Sequence, residues 1–203
     1  MDEIERGHWI FDLDGTLTRA VHDFDEMRRM LGLAPTVGIL EALATMSLEQ
    51  AAPLVERLDA YEYDLACTAS AAEGAHELLT SLRRRGARLG IFTRNNTRNV
   101  EATLAAAGLG GFFDPAYLVT RDHGTPKPEP AGIFRLLGLW RAEPSQAVMV
   151  GNHASDVEAG RAAGTFTIYV DPAGTFDGYR DADLAVRSLI EIHARVRPAQ
   201  EVP

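Results

Sequence analysis

Trp9-Ile10-Phe11-Asp12-Leu13-Asp14-Gly15-Thr16-Leu17-Thr18 is an apolar run that ends in two carboxylates spaced two residues apart and then a glycine. The run reads as a buried strand. If the backbone stays extended through the acids, pleat alternation turns Asp12 and Asp14 to one side, where they share one pole of a site. Gly15 permits a sharp exit, because it adopts backbone angles closed to residues with a Cβ. A strand that ends in acids and a glycine points to a ligand.

Downstream of this strand the pattern changes. From Arg19 to about Ala71 apolar residues recur at helical spacing, as in Phe24, Met27, Leu31 and then Ile39, Leu40, Leu43. A third helix is expected over Leu48 to Tyr61, entered by Ser47 as its cap. Ser70-Ala71-Ala72-Glu73 has the form of a capping box and predicts a helix continuing through Ala75, Leu78, Leu79 and Leu82 to Gly86.

Strand and helix then alternate: strands at Ala87 to Phe92, Tyr117 to Val119, Ala147 to Val150 and Thr165 to Val170, with helices at Asn96 to Ala107, Pro130 to Leu139 and Ala154 to Ala163. This predicts an α/β fold, a parallel sheet covered on both faces. Arg195 to Pro203, with two prolines and no periodicity, reads as a frayed tail.

Bulk composition narrows the partners. The chain has 203 residues, 46% of them hydrophobic, enough for a sizeable core. A net charge of −9 and a pI near 5.1 argue against nucleic acid and anionic membranes. Cys67 is the single cysteine, so no internal disulfide or multi-cysteine metal site forms, and a buried or half-buried thiol in a cytoplasmic protein is expected. The acidic start, Met1 to Arg6, has no apolar centre of the kind a secretory signal carries, and no run approaches the ~20 apolar residues of a membrane helix.

In open α/β sheets ligands bind beyond the carboxyl ends of the strands. Four such places carry polar groups: Asp12 and Asp14; Thr93-Arg94-Asn95-Asn96; Thr125-Pro126-Lys127-Pro128; and Gly151-Asn152-His153-Ala154-Ser155-Asp156. A calcium loop does not account for the first, since Gly15 falls fourth and Asp23 twelfth where an EF-hand has Gly sixth and Glu twelfth. Asn95-Asn96-Thr97 matches a glycosylation sequon, read here as accidental.

This set, in this order, resembles the haloacid dehalogenase superfamily, whose motifs are D-x-D-G-T, a strand-terminal Ser or Thr, a Lys, and G-D-x-x-x-D. The resemblance spans Phe11 to Gly164 and is nearest to the subgroup of phosphoglycolate phosphatases with a helical cap. It implies a Rossmannoid core over 1–18 and 72–203 and an all-helical cap over 19–71, inserted after the first strand.

It also implies a Mg²⁺-dependent phosphatase acting on a small phosphorylated metabolite through an aspartyl-phosphate. Asp12 would be the nucleophile and Asp14 the general acid and base, which the dehalogenases lack. Thr93 and Lys127 would hold the phosphoryl oxygens, and Asp12, the Asp14 carbonyl and Asp156 would ligate the metal. Gly15, Arg94, Asn95 and His22 would lie against the substrate, while Tyr61, Tyr63 and Arg28 of the insert are further candidates for contact.

One position departs from the family pattern. Asn152 stands where the fourth motif has Asp; an amide oxygen can ligate a hard cation or hold a metal-bound water, but with one negative charge fewer. Two alternatives stand beside the phosphatase: a phosphomutase with the same core, and a module that binds a phosphorylated ligand and in which Asn152 has silenced turnover.

Overall fold

The computed structural model describes residues 4–20, 23–176 and 181–196. Six parallel strands form one sheet: β1 (His8–Phe11), β2 (Arg88–Phe92), β3 (Leu118–Val119), β4 (Ala147–Gly151), β5 (Phe166–Val170) and β6 (Leu184–Val186). Their order is β3-β2-β1-β4-β5-β6, so β1 lies at the centre and the winding reverses between β1 and β4. That reversal opens a crevice at the carboxyl ends of these two strands, where ligands bind in doubly wound sheets.

Pleat alternation divides the core. Trp9 and Phe11 face one side, with Val148 and Val150, against α4 (Ala75–Arg84), α5 (Thr97–Ala106) and α8 (Leu189–His193). Ile10 and Met149 face the other, against α6 (Ala131–Trp140) and α7 (Ala154–Ala163). Both faces are thus dry, which is why the strands read as continuous apolar runs.

Between β1 and α4 lie α1 (Phe24–Leu31), α2 (Ile39–Ala44) and α3 (Leu48–Cys67), whose Met27, Leu31, Ile39, Leu43 and Leu58 form an apolar cluster of their own. Ser47 caps α3 through a reciprocal box with Gln50, as its sequence suggests. The helix runs six residues past the expected end at Tyr61. It docks on the sheet domain through polar contacts to α5 and the loop after β3: Arg121 to Asp59 at 2.8 Å, Asn96 to Asp59 at 3.3 Å, and the Arg98 guanidinium 3.7 Å above the Tyr63 ring.

Four readings of the sequence are corrected. Ser70 does not cap α4: Thr18 and Ala71 form an antiparallel bridge that keeps this segment extended, and the helix starts after Gly74, whose left-handed φ of 82° turns the chain into it. Cys67, the last residue of α3, is exposed. A sixth strand and α8 follow residue 180, where three- and five-residue elements are too short to show a period. Arg195 and Val196 are packed, with the Ile4 amide donating to the Arg195 carbonyl and Val196 buried, so the expected tail does not begin there; residues 197–203 lie outside the described residues.

Among the described residues no helix is long and apolar enough to cross a membrane.

Candidate active site

The two acids of the first motif reach one pocket by a route other than pleat alternation. β1 ends at Phe11, and beyond Asp12 the amides of Thr16, Leu17 and Thr18 all donate to the Leu13 carbonyl, so Asp14 sits in a tight turn rather than on a strand. Gly15 takes φ 82° in that turn. A Cβ there would lie 2.6 Å from Nδ2 of Asn152, so a side chain is excluded by the neighbouring loop as well as by the backbone.

Lys127 organises the pocket. Its ammonium donates to Asp12 Oδ1 at 2.6 Å and to Asp156 Oδ1 at 2.5 Å, and all three side chains are almost wholly buried. The ammonium lies 5.7 Å from the centre of the Phe92 ring at the end of β2, and a cis peptide joins Lys127 to Pro128. Burial alone would push the ammonium's pKa down, but Asp12 and Asp156 outweigh it and hold it above the usual lysine value. Burial also pushes Asp12 up, to about 7, against the pull of Lys127, and the charges of Asp156 and Asp14 push the same way.

Asp156 has a second duty. It stands in the first turn of α7, where its Oδ2 accepts from the His153 amide at 2.9 Å, so one carboxyl both caps the helix and meets the lysine. Gly151 makes this possible, since any Cβ at that position would overlap the Asp156 carboxyl. His153 is exposed and serves as the helix cap.

The remaining candidates divide. Thr93 lines the pocket and accepts from the Asn95 amide at 3.2 Å, while Asn95, expected beside substrate, turns its Nδ2 to Asp14 Oδ2 at 3.1 Å. Asn95 Oδ1 in turn accepts from Asn99 at 3.1 Å, so the amide is clamped from behind and holds Asp14 in place. Asn152 lines the same pocket and accepts from the Thr16 hydroxyl at 3.0 Å, which ties the fourth motif to the first. Arg94 reaches the pocket but is ion-paired with Glu41 of α2. His22 lies outside the described residues.

The pocket has a volume of about 390 Å³. Its far wall comes from the three inserted helices, with Phe24, Met27, Ile39 and Leu58 as its apolar part. It also contains a residue that sequence reasoning missed, Glu62 of α3. Burial pushes the Glu62 carboxyl up to about 7 despite the nearby Arg121 guanidinium, and Asp59 and Asp14 add to the rise. On sequence alone a helical glutamate three residues after an aspartate reads as a solvated face, and only the docking of α3 shows otherwise.

Among the described residues no group of three or more His, Cys, Asp or Glu side chains forms a ready-made metal cluster. The donor set is nonetheless of the type a small hard cation takes. Asp12 and Asp156 are both within reach of one ammonium, Asn152 and the Asp14 turn border the same space, and every donor is oxygen. Three carboxylates against one lysine leave an excess of negative charge that a divalent ion would match.

A family model described as haloacid dehalogenase-like hydrolase matches residues 8–164. The chain is 28% identical to the phosphoglycolate phosphatase of Caulobacter vibrioides, over 90% of this chain and 87% of that one. It is 29% identical to the pyrophosphatase PpaX of Bacillus velezensis, over 78% and 80% of the respective chains. Among solved structures, CbbY from Rhodobacter sphaeroides in complex with phosphate superposes with a TM-score of 0.71 at 20% identity, covering 92% of this chain and 96% of that one.

Proposed function

Because the chain belongs to the haloacid dehalogenase-like hydrolases and is a phosphatase of that superfamily, we propose that it hydrolyses a small phosphate monoester with Asp12 as nucleophile. The observation that carries this reading is the buried Asp12–Lys127–Asp156 triad at the carboxyl ends of β1 and β4, with Asp14 clamped beside it by Asn95.

An Asp12 oxygen attacks phosphorus, and the bond from phosphorus to the leaving oxygen breaks. Asp14 supplies the proton that the leaving alkoxide needs. Asp14 then takes a proton from water, which attacks the aspartyl-phosphate, releases inorganic phosphate and restores Asp12. Lys127 and the Thr93 hydroxyl oppose the charge on the phosphoryl oxygens throughout.

Mg²⁺ is the cation we assign to the site, held by Asp12, the Asp14 carbonyl and Asp156 with Asn152 as a further oxygen donor; when bound it would neutralise phosphoryl charge that otherwise repels a carboxylate. The unit 19–71 is assigned as a cap over a core of 1–18 and 72–203, and its three helices shield the pocket from water. The intact set of nucleophile, second acid, hydroxyl and lysine favours turnover over a silenced binding module. Transfer of phosphate to water, not back to a sugar, is what separates this reading from a phosphomutase.

The test is phosphate release from an aryl phosphate, with Mg²⁺ or with chelator. Activity is expected with Mg²⁺ alone, and Asp12→Asn is expected to abolish it while the protein keeps its circular dichroism spectrum and cooperative unfolding. Full turnover by Asp12→Asn would sink the assignment.

A further inference from the structure

The pocket wall facing the acids is chemically uneven. Two arginines line it, and each is already engaged: Arg28 donates to Asp25 Oδ1 at 2.8 Å and to the Val37 carbonyl at 3.0 Å, and Arg94 is paired with Glu41. Glu62 is in the opposite situation. Arg121 Nη2 makes its short contact, 2.8 Å, with Asp59 and stands 3.4 Å from Glu62 Oε2. Asp59 takes a further hydrogen bond from Asn96. Among the described residues Glu62 Oε1 accepts no hydrogen bond, although the side chain is only 13% exposed. Glu62 Oε1 therefore opens on a small pocket whose apolar lining on that side includes Phe24, Met27, Ile39 and Leu58, with Glu41 also on it.

We propose that Glu62 determines specificity, accepting a hydrogen bond from a neutral, hydroxyl-bearing leaving group and rejecting leaving groups that end in a carboxylate or a second phosphate. The proposal rests on the phosphatase reading of the same site and sharpens it. A hydroxyl satisfies the open oxygen, and its carbon skeleton lies against the apolar side chains. At pH 8, where Glu62 is ionised, an anion in the same place meets a like charge, while Arg28 and Arg94 hold Asp25 and Glu41. The inference separates this chain's substrate from phosphoglycolate and pyrophosphate, for which its relatives are named.

The experiment compares 2-hydroxyethyl phosphate with 2-phosphoglycolate, which share a two-carbon skeleton and differ in a terminal hydroxymethyl against a carboxylate. Each is measured with the full chain and Mg²⁺ at pH 8, as a substrate by kcat/KM and as an inhibitor of aryl phosphate hydrolysis. Wild type is expected to favour the hydroxyethyl ester by about ten-fold or more. Glu62→Gln is expected to narrow that ratio to about three-fold or less, chiefly by improving 2-phosphoglycolate, because the amide keeps a hydrogen-bonding oxygen and loses the charge. Equal or better use of 2-phosphoglycolate by wild type, or an unchanged ratio in Glu62→Gln, overturns the inference while aryl phosphate turnover leaves the phosphatase reading intact. No phosphate from any of the three esters overturns that reading, and the inference with it.

Discussion

Replacing Lys127 by Met tests the triad most directly. Methionine keeps an unbranched stem and removes the ammonium of a side chain that is 3% exposed and donates to Asp12 at 2.6 Å and to Asp156 at 2.5 Å. Without it two buried carboxylates lack a counter-charge. Breaking a buried pair in this way costs about 3–5 kcal/mol. The penalty depends on pH with a definite sign. Burial already holds the Asp12 carboxyl above the usual carboxylate range with the lysine present, and removal of the lysine pushes it higher. The folded variant thus binds protons more tightly than the unfolded chain, so stability is lost as pH rises through the raised pKa and is recovered on acidification. At pH 8 in chelator the larger loss is expected; it shrinks on acidification toward pH 4, where both states are protonated and about 1–2 kcal/mol remains for the missing hydrogen bonds. Urea unfolding reads this as a fall in midpoint of about 1.5–2.5 M at pH 8, for a slope of roughly 2 kcal/mol per M. A shift that is small, or the same at both pH values, would refute the argument that the lysine neutralises buried charge.

Two further outcomes follow from the packing and the titration of other groups. Glu62 has its carboxyl raised to about 7 from an ordinary 4.5, so its contribution to stability is fully present below pH 4.5 and lost as pH rises through 7, by up to about 3 kcal/mol. Glu62→Gln should match wild type at pH 5 and exceed it at pH 8 in urea midpoint, and a gap that closes with rising pH contradicts the assignment. Gly132 of α6 lies against the Phe92 ring, which a Cβ would overlap. Gly132→Ala should therefore lose about 1–3 kcal/mol despite its better helix propensity, read as a lower melting temperature, and a stabilised variant would show that the ring moves freely.

Much of the fold was legible because its signals are local. β1, β2, β4 and β5 are runs of apolar residues whose lengths and flanking glycines distinguish them from helices, and Ser47, Asn96 and Gly108 mark helix ends by chemistry that acts within a few residues. The misreadings share a cause. At Ser70 the local pattern of a capping box lost to the long-range bridge between Thr18 and Ala71, and β6 draws its identity from pairing with β5, not from its own three residues.

The sequence by itself determined which residues to look for: Asp12, Asp14, Thr93, Lys127, Asn152 and Asp156 stand at strand ends and loop positions that the family resemblance picks out, and all six line one pocket. Only the tertiary structure decided how they relate. That one ammonium bridges Asp12 and Asp156, that Asn95 serves Asp14, and that Asn152 meets Thr16 are facts about segments 29 to 136 residues apart in the chain. The sheet brings them together because β1 pairs with both β2 and β4, so three distant loops open on a single crevice. Glu62 belongs wholly to this second kind of knowledge. Its residue type and helical spacing describe a surface acid, and the docking of α3 through Arg121 and Asn96 largely buries it on the wall of the pocket.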